Sequence, residues 1–158
     1  MDTNFDYTLL TAQVKALTEG VPHLIANLSN ISALLWQSLE DINWAGFYKM
    51  EGGRLVLYPF QGKPACIEIP VGKGVCGRAV AEGKTQLVPN VHDFPGHIAC
   101  DCASNAEIVV PLWKNGEIWG VLDIDSPTVG RFSQEDQAGL EQVAKAIEEA
   151  LQNNSFTY

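Results

Sequence analysis

AEIVVPLWKNGEIWGVLDID, residues 106–125, consists of two runs of β-branched, aromatic and aliphatic residues around Asn115-Gly116, the composition of a hairpin. Two closures compete. A two-residue Asn115-Gly116 turn pairs Trp113 with Ile118, Val110 with Val121 and Glu107 with Ile124, which mixes polar and apolar side chains on both faces. A three-residue turn, Lys114-Asn115-Gly116 with Gly116 in a left-handed bulge, pairs Ile108 with Leu122, Val110 with Gly120 and Leu112 with Ile118. One face is then wholly apolar. Because a slip of one residue moves every side chain to the other face, burial favours this second register.

The other face of that register sets Glu107 opposite Asp123, Val109 opposite Val121 and Pro111 opposite Trp119, with Asp125 two residues further on the same side. Three carboxylates therefore converge. Like charges across a ladder repel, so the cluster implies a bound cation, a shared proton or solvent exposure, and the hairpin by itself does not choose. NWAGFYKM, residues 43–50, adds aromatic walls, since Trp44, Gly46 and Tyr48 alternate onto one face and Gly46 is expected to leave room between the rings. With Trp119 expected beside the carboxylates, the pocket suits a small ammonium-bearing ligand.

Outward from these strands, residues 7–18 and 22–39 have helical periodicity, the second with Leu24, Ile25, Leu28, Ile31, Leu34 and Leu35 after Pro22. Residues 43–50 and RLVLYPF form a first hairpin around EGGR, and a short strand follows near ACIEIP. GVCGRAVAEGK is a short helix that carries Cys76 and ends at Gly83, and QLVP is a brief strand. SQEDQAGLEQVAKAIEEALQ is a closing helix with Ser133 as N-cap and Asp136 in the capping-box position. Helices at both ends of a run of hairpins predict an α+β domain, an antiparallel sheet covered by amino-terminal and carboxy-terminal helices.

A chain of 158 residues fits one domain with one core. The boundaries expected are a helical layer over 1–40, the sheet, a long loop and the closing helix over 41–152, and a short tail over 153–158. A net charge of -9 disfavours nucleic acid and anionic membrane surfaces as partners and suits cationic or zwitterionic ligands. The amino terminus carries acids where a signal peptide needs a basic region, and no apolar run approaches about 18 residues, so a soluble cytoplasmic protein is expected.

Four cysteines remain to be explained: Cys66, Cys76, Cys100 and Cys102. Their spacing lacks the paired Cys-x-x-Cys ligands of structural zinc, so no metal is expected. Cys100 and Cys102 flank Asp101 in the polar loop of residues 89–105, and cysteines so placed suit chemistry better than packing. Connections of this length in compact domains are usually functional, and Phe94, Pro95 and Ile98 make an active-site loop or lid the expectation.

INWAGFY, GKGVCG, FPGHIACD, EIVVPL and GVLDIDSP, in this order, resemble the free methionine-(R)-sulfoxide reductases, a family built on a single GAF domain. The resemblance spans about residues 30 to 151. It implies a GAF-like fold over 1–158 and reduction of the R epimer of free methionine sulfoxide to methionine, an oxidative-stress repair reaction, with thioredoxin as electron donor and no cofactor. By position it makes Cys100 the attacking cysteine, Cys66 the resolving partner that forms a disulfide with it, and Cys76 an auxiliary third cysteine. Glu107, Asp123 and Asp125 match the family's acidic substrate-binding residues, and Trp44 and Tyr48 its aromatic wall. Cys102 departs from the pattern and is a spare thiol near the nucleophile.

The chemistry agrees. Sulfoxide reduction needs a thiolate to attack sulfur and a proton for the oxygen, and it leaves a sulfenic acid that a second thiol clears. Carboxylates near Cys100 are expected to raise its pKa, an effect offset by a substrate ammonium or by one acid held protonated as donor. His97 is a candidate to tune the thiolate, whereas His23 and His92 have no expected role. The alternatives are a non-catalytic GAF sensor that binds a small ligand without turnover, a cysteine redox sensor that reacts with peroxide, and a divalent-metal site on the acids. The exposed hairpins and the long closing helix offer surface for a homodimer.

Overall fold

The structure is a computed structural model, and it describes residues 5–96 and 104–153. Two helices open the chain, α1 (Tyr7–Thr18) and α2 (Leu24–Ser38), followed by strands β1 (Trp44–Glu51), β2 (Arg54–Gly62) and β3 (Glu68–Pro70). Helix α3 (Gly74–Glu82) and strand β4 (Gln86–Val88) lead to a 3-10 turn at Val91–Asp93. Strands β5 (Ala106–Lys114) and β6 (Glu117–Ser126) and helix α4 (Gln134–Asn153) complete the fold. The strands form one antiparallel six-stranded sheet in the order β3-β2-β1-β6-β5-β4.

Alternation along the central strands divides the core into two layers. Ala45, Phe47, Ile108, Val110, Leu112, Leu122 and Ile124 face the helices and pack with Leu10, Val14, Leu28, Ile31, Leu35, Leu140, Val143 and Ile147. Fully burying each of the larger of these side chains contributes roughly 1.5–3 kcal/mol. Trp44, Tyr48, Val109 and Val121 point the other way and pack with Leu55, Ile69, Val75, Cys76 and Ala79. Thus α1, α2 and α4 cover one face, and α3 with its neighbouring strands covers the second.

Local chemistry sets the helix ends. The Ser133 amide donates to Asp136 Oδ2 at 2.8 Å and the Asp136 amide donates to Ser133 Oγ at 3.1 Å, the reciprocal capping box expected for α4. Helix α3 stops at Gly83, whose left-handed backbone (φ 65°) lets its amide close on the Ala79 carbonyl at 2.9 Å.

The β5–β6 register differs from both simple closures. Asn115 (φ 53°) and Gly116 (φ 81°) form the two-residue turn that Asn-Gly favours, and Lys114↔Glu117 and Trp113↔Ile118 follow from it. A bulge then skips Trp119, and the ladder continues as Leu112↔Gly120, Val110↔Leu122, Ile108↔Ile124, Val109↔Asp123 and Glu107↔Asp125. From Gly120 to Asp125 the expected pairs are therefore shifted by two residues with their faces unchanged, whereas Trp119, at the bulge, changes sides. Turn chemistry decides the tip and burial decides the body, and the extra residue at Trp119 reconciles them.

Candidate active site

The site lies on the sheet face opposite α1, α2 and α4. Strand alternation brings Glu107 from β5 and Asp123 and Asp125 from β6 to this face, where Asp125 stands across from Glu107 and Asp123 from Val109. Asp123 is 5% exposed and Asp125 9%, while Glu107 is half-buried, which rules out a solvated polar surface. Helix α3 then lowers Cys76 onto the acids: its Sγ is 3.3 Å from Asp123 Oδ2 and 4.0 Å from Glu107 Oε2.

This packing shifts the proton balance. Burial first, and then the neighbouring Asp125 charge, pushes Asp123 well above the usual carboxylate range. Glu107 is raised by burial and by Asp123. The Cys76 thiol is raised by burial and by the charges of Asp123, Glu107 and Asp125. A thiol in the first turn of a helix is ordinarily activated, but at Cys76 three acids and a dry environment outweigh the helix, so it remains protonated. Among the three origins of the acid cluster expected from sequence, shared protons fit this geometry.

The aromatic wall is built from β1. Trp44 and Tyr48 stack at 5.9 Å between centroids, and Phe60 from β2 stacks on Trp44 at 4.9 Å. Their polar ends anchor the segment that carries Cys66. Tyr48 Oη donates to the Cys66 carbonyl at 2.8 Å, and Trp44 Nε1 donates to the Lys63 carbonyl at 3.1 Å. Burial, followed by the charges of the acid cluster, raises the Tyr48 hydroxyl, which keeps it a donor. Cys66 is half-buried and disulfide-bonded, whereas Cys76 is free.

Two expectations about the wall are corrected. The space over Gly46 is not open, because Gly46 faces Phe60 at a bulge between β1 and β2 and a Cβ there would run into Phe60 Cβ. Glycine serves close backbone approach, and the gap belongs to the Phe60 side chain. Trp119, the bulged residue, packs against the helix-facing core, edge-on to Tyr58 with Lys49 Nζ 5.8 Å from its ring centroid. It is absent from the acid pocket because the bulge breaks the alternation that placed it there.

The loop base is fixed on both sides. The Val91 amide donates to the Asn105 carbonyl at 2.7 Å, His92 Nε2 donates to Asn105 Oδ1 at 3.0 Å, and the Gly74 amide at the start of α3 donates to the Gly96 carbonyl at 3.0 Å. His92 thus acquires a structural role the sequence did not suggest. Cys100, Cys102, His97 and Ile98 lie outside the described residues. Among the described residues, Cys76 is the thiol that meets the carboxylates.

Residues 17–152 match the model of the GAF domain. A free methionine-R-sulfoxide reductase of Escherichia coli is 53% identical over 95% of this chain and 91% of its own length. The chain belongs to the free methionine-R-sulfoxide reductase family. A further relative, Protein YtsP of Bacillus subtilis, is 55% identical and covers 95% of this chain and 93% of itself. The solved fRMsr of Staphylococcus aureus in complex with substrate superposes with a TM-score of 0.89 at 53% identity, covering 96% of this chain and 99% of that one. Within this family's GAF fold, Phe60 was missed by sequence reasoning. Its signal was Gly46, whose missing side chain marks where a residue of the paired strand crosses close.

Proposed function

We propose that the chain is an oxidoreductase that reduces free L-methionine (R)-sulfoxide to L-methionine, acting as a single GAF-like domain over 1–158. Cys100 thiolate attacks the sulfoxide sulfur, and the oxygen passes to Cys100 as a sulfenic acid while methionine leaves. The Cys66 thiol attacks that sulfenic sulfur, forming a disulfide and releasing water. A thioredoxin dithiol reopens the disulfide by exchange and is itself oxidised. Per turnover, one sulfoxide and two thiols become one thioether, one disulfide and one water. No cofactor or metal enters.

Trp44 and Tyr48 hold the aliphatic part of the substrate, and Glu107, Asp123 and Asp125 take its ammonium group and supply the proton to its oxygen. The observation that carries this assignment is the cluster of buried, proton-rich acids beside the aromatic wall. It combines a place for positive charge with carboxyl protons poised for an oxygen that gains negative charge. Tethering of the Cys66 segment by Tyr48, and Cys66 being disulfide-bonded while Cys76 is free, support Cys66 as resolver and Cys76 as auxiliary. Two copies associating through the exposed hairpins or α4 would form a homodimer.

The test is methionine release from the separate R and S epimers of free methionine sulfoxide and from a peptide-bound sulfoxide, with thioredoxin, its reductase and NADPH. Turnover of the free R epimer alone is expected. Absence of turnover with every form, with thiols confirmed reduced, would make the pocket a sensor for a small ligand.

A further inference from the structure

Cys76, Glu107 and Asp123 present one sulfur and two oxygens that all lie within 4.8 Å of one another. The Cys76 Sγ separations from Asp123 Oδ2 (3.3 Å) and Glu107 Oε2 (4.0 Å) bracket the roughly 3.6 Å between sulfur and oxygen ligands on a tetrahedral zinc ion, given Zn–S of about 2.3 Å and Zn–O of about 2.1 Å. A second observation points to a cation. Asp123 is 5% exposed, and while its Oδ2 faces Cys76, its Oδ1 is buried with no hydrogen-bond partner among the described residues. In the metal-free protein a proton shared with a neighbouring acid meets that oxygen, and a cation can take the proton's place.

We propose that Cys76, Glu107 and Asp123 form a three-ligand site for a soft divalent cation, Zn2+, with a fourth position open to water. The mixed donor set decides the class of ion. Magnesium and calcium require six or more oxygens, whereas a thiolate with two carboxylates is a borderline-soft set that suits zinc. On binding, the Cys76 thiol proton and the carboxyl protons are released to solvent, and no electron is transferred. The ion occupies the acid cluster, so it excludes an ammonium group from the same place and acts as an inhibitor. That consequence rests on the proposed function, whereas the binding itself does not.

The experiment is titration of the purified, metal-free protein with Cd2+, reading the ultraviolet sulfur-to-cadmium charge-transfer band, alongside equilibrium dialysis against Zn2+. One equivalent of each ion and a saturating band are expected. Cys76→Ser should abolish the band, and Asp123→Asn, which preserves shape, should keep the band but weaken binding about tenfold or more. Far-ultraviolet circular dichroism checks that both variants are folded. Persistence of the full band in Cys76→Ser would assign the metal to the other thiols and overturn the site. Binding by Asp123→Asn equal to wild type, or no stoichiometric binding at all, would overturn it as well. None of these readouts uses turnover, so a protein inactive on sulfoxide would leave this result standing.

Discussion

Cys76 Sγ and Asp123 Oδ2, 47 positions apart in sequence, meet at 3.3 Å beneath helix α3. A thiol and a carboxyl, each disfavoured as an anion, thus share one buried contact, and this has a thermodynamic signature. Asp123 and Glu107 have ordinary values of 3.8 and 4.5 and are both raised in the folded protein. A raised acid retains its proton in the folded state after the unfolded chain has lost it, so its contribution is full below about pH 4 and is lost as pH rises toward the folded value. Each retained proton withdraws about 1.4 kcal/mol per pH unit within that window. Urea unfolding across pH should therefore show a flatter profile for Asp123→Asn, with a gain over wild type that grows as pH rises. A gain that shrinks with rising pH would mean that Asp123 is ionised in the fold.

Gly46→Ala places a Cβ against Phe60 Cβ, 2.6 Å from Phe60 Cα and 2.9 Å from the Pro59 carbonyl. Backbone cannot withdraw as a side-chain tip can, so a loss on the order of 3 kcal/mol is expected in denaturant unfolding. The Trp44–Phe60 stack should be disturbed with it, visible as a change in tryptophan fluorescence. A loss below about 0.5 kcal/mol would show that the β1–β2 bulge yields easily.

The cap of α4 separates two energies. Ser133→Ala removes one side-chain cap and should cost about 1 kcal/mol. Asp136→Ala should cost about 2–3 kcal/mol, because Asp136 also accepts from Tyr7 Oη at 2.6 Å and from Arg131 at 3.4 Å. Thermal or chemical denaturation yields both values, and equal losses would show that the Tyr7 and Arg131 contacts contribute nothing.

Tyr48→Phe keeps the ring and deletes the 2.8 Å bond to the Cys66 carbonyl. If that bond positions Cys66 for resolution, single-turnover methionine formation should be unchanged while disulfide formation slows about fivefold, the equivalent of one hydrogen bond of about 1 kcal/mol. Quenched-flow thiol counting distinguishes the two steps, and unchanged disulfide formation would leave the tether a purely structural feature.

Cys100→Ser should abolish turnover. Cys66→Ser should release about one equivalent of methionine per protein and then stall at the sulfenic acid. Full multiple turnover by Cys66→Ser with thioredoxin would refute the resolving role of Cys66 or pass it to Cys102.

Much of the architecture was legible because it is local. Helix periodicity gave α1 at its observed bounds, Ser133 and Asp136 announced the cap of α4, and alternation assigned Ile108, Val110, Leu122 and Ile124 to one face and Glu107, Asp123 and Asp125 to the other. These features repeat within a turn of helix or two residues of strand, so a short window contains them. The β5–β6 pairing was not legible, since a bulge at Trp119 shifts the partners beyond it by two while preserving their faces, and alternation cannot distinguish registers of equal parity. Nor could sequence place Cys76 on Asp123, Phe60 over Gly46 or Trp119 against the helix-facing core. Each of these contacts joins separate elements, and its partner is decided by how α3, β2 and β6 pack rather than by the residues on either side. Alternation along the chain sets which side chains share a face away from the bulge, and residue type sets the chemistry they bring. Tertiary packing decided which of those groups touch, and therefore which protons are held.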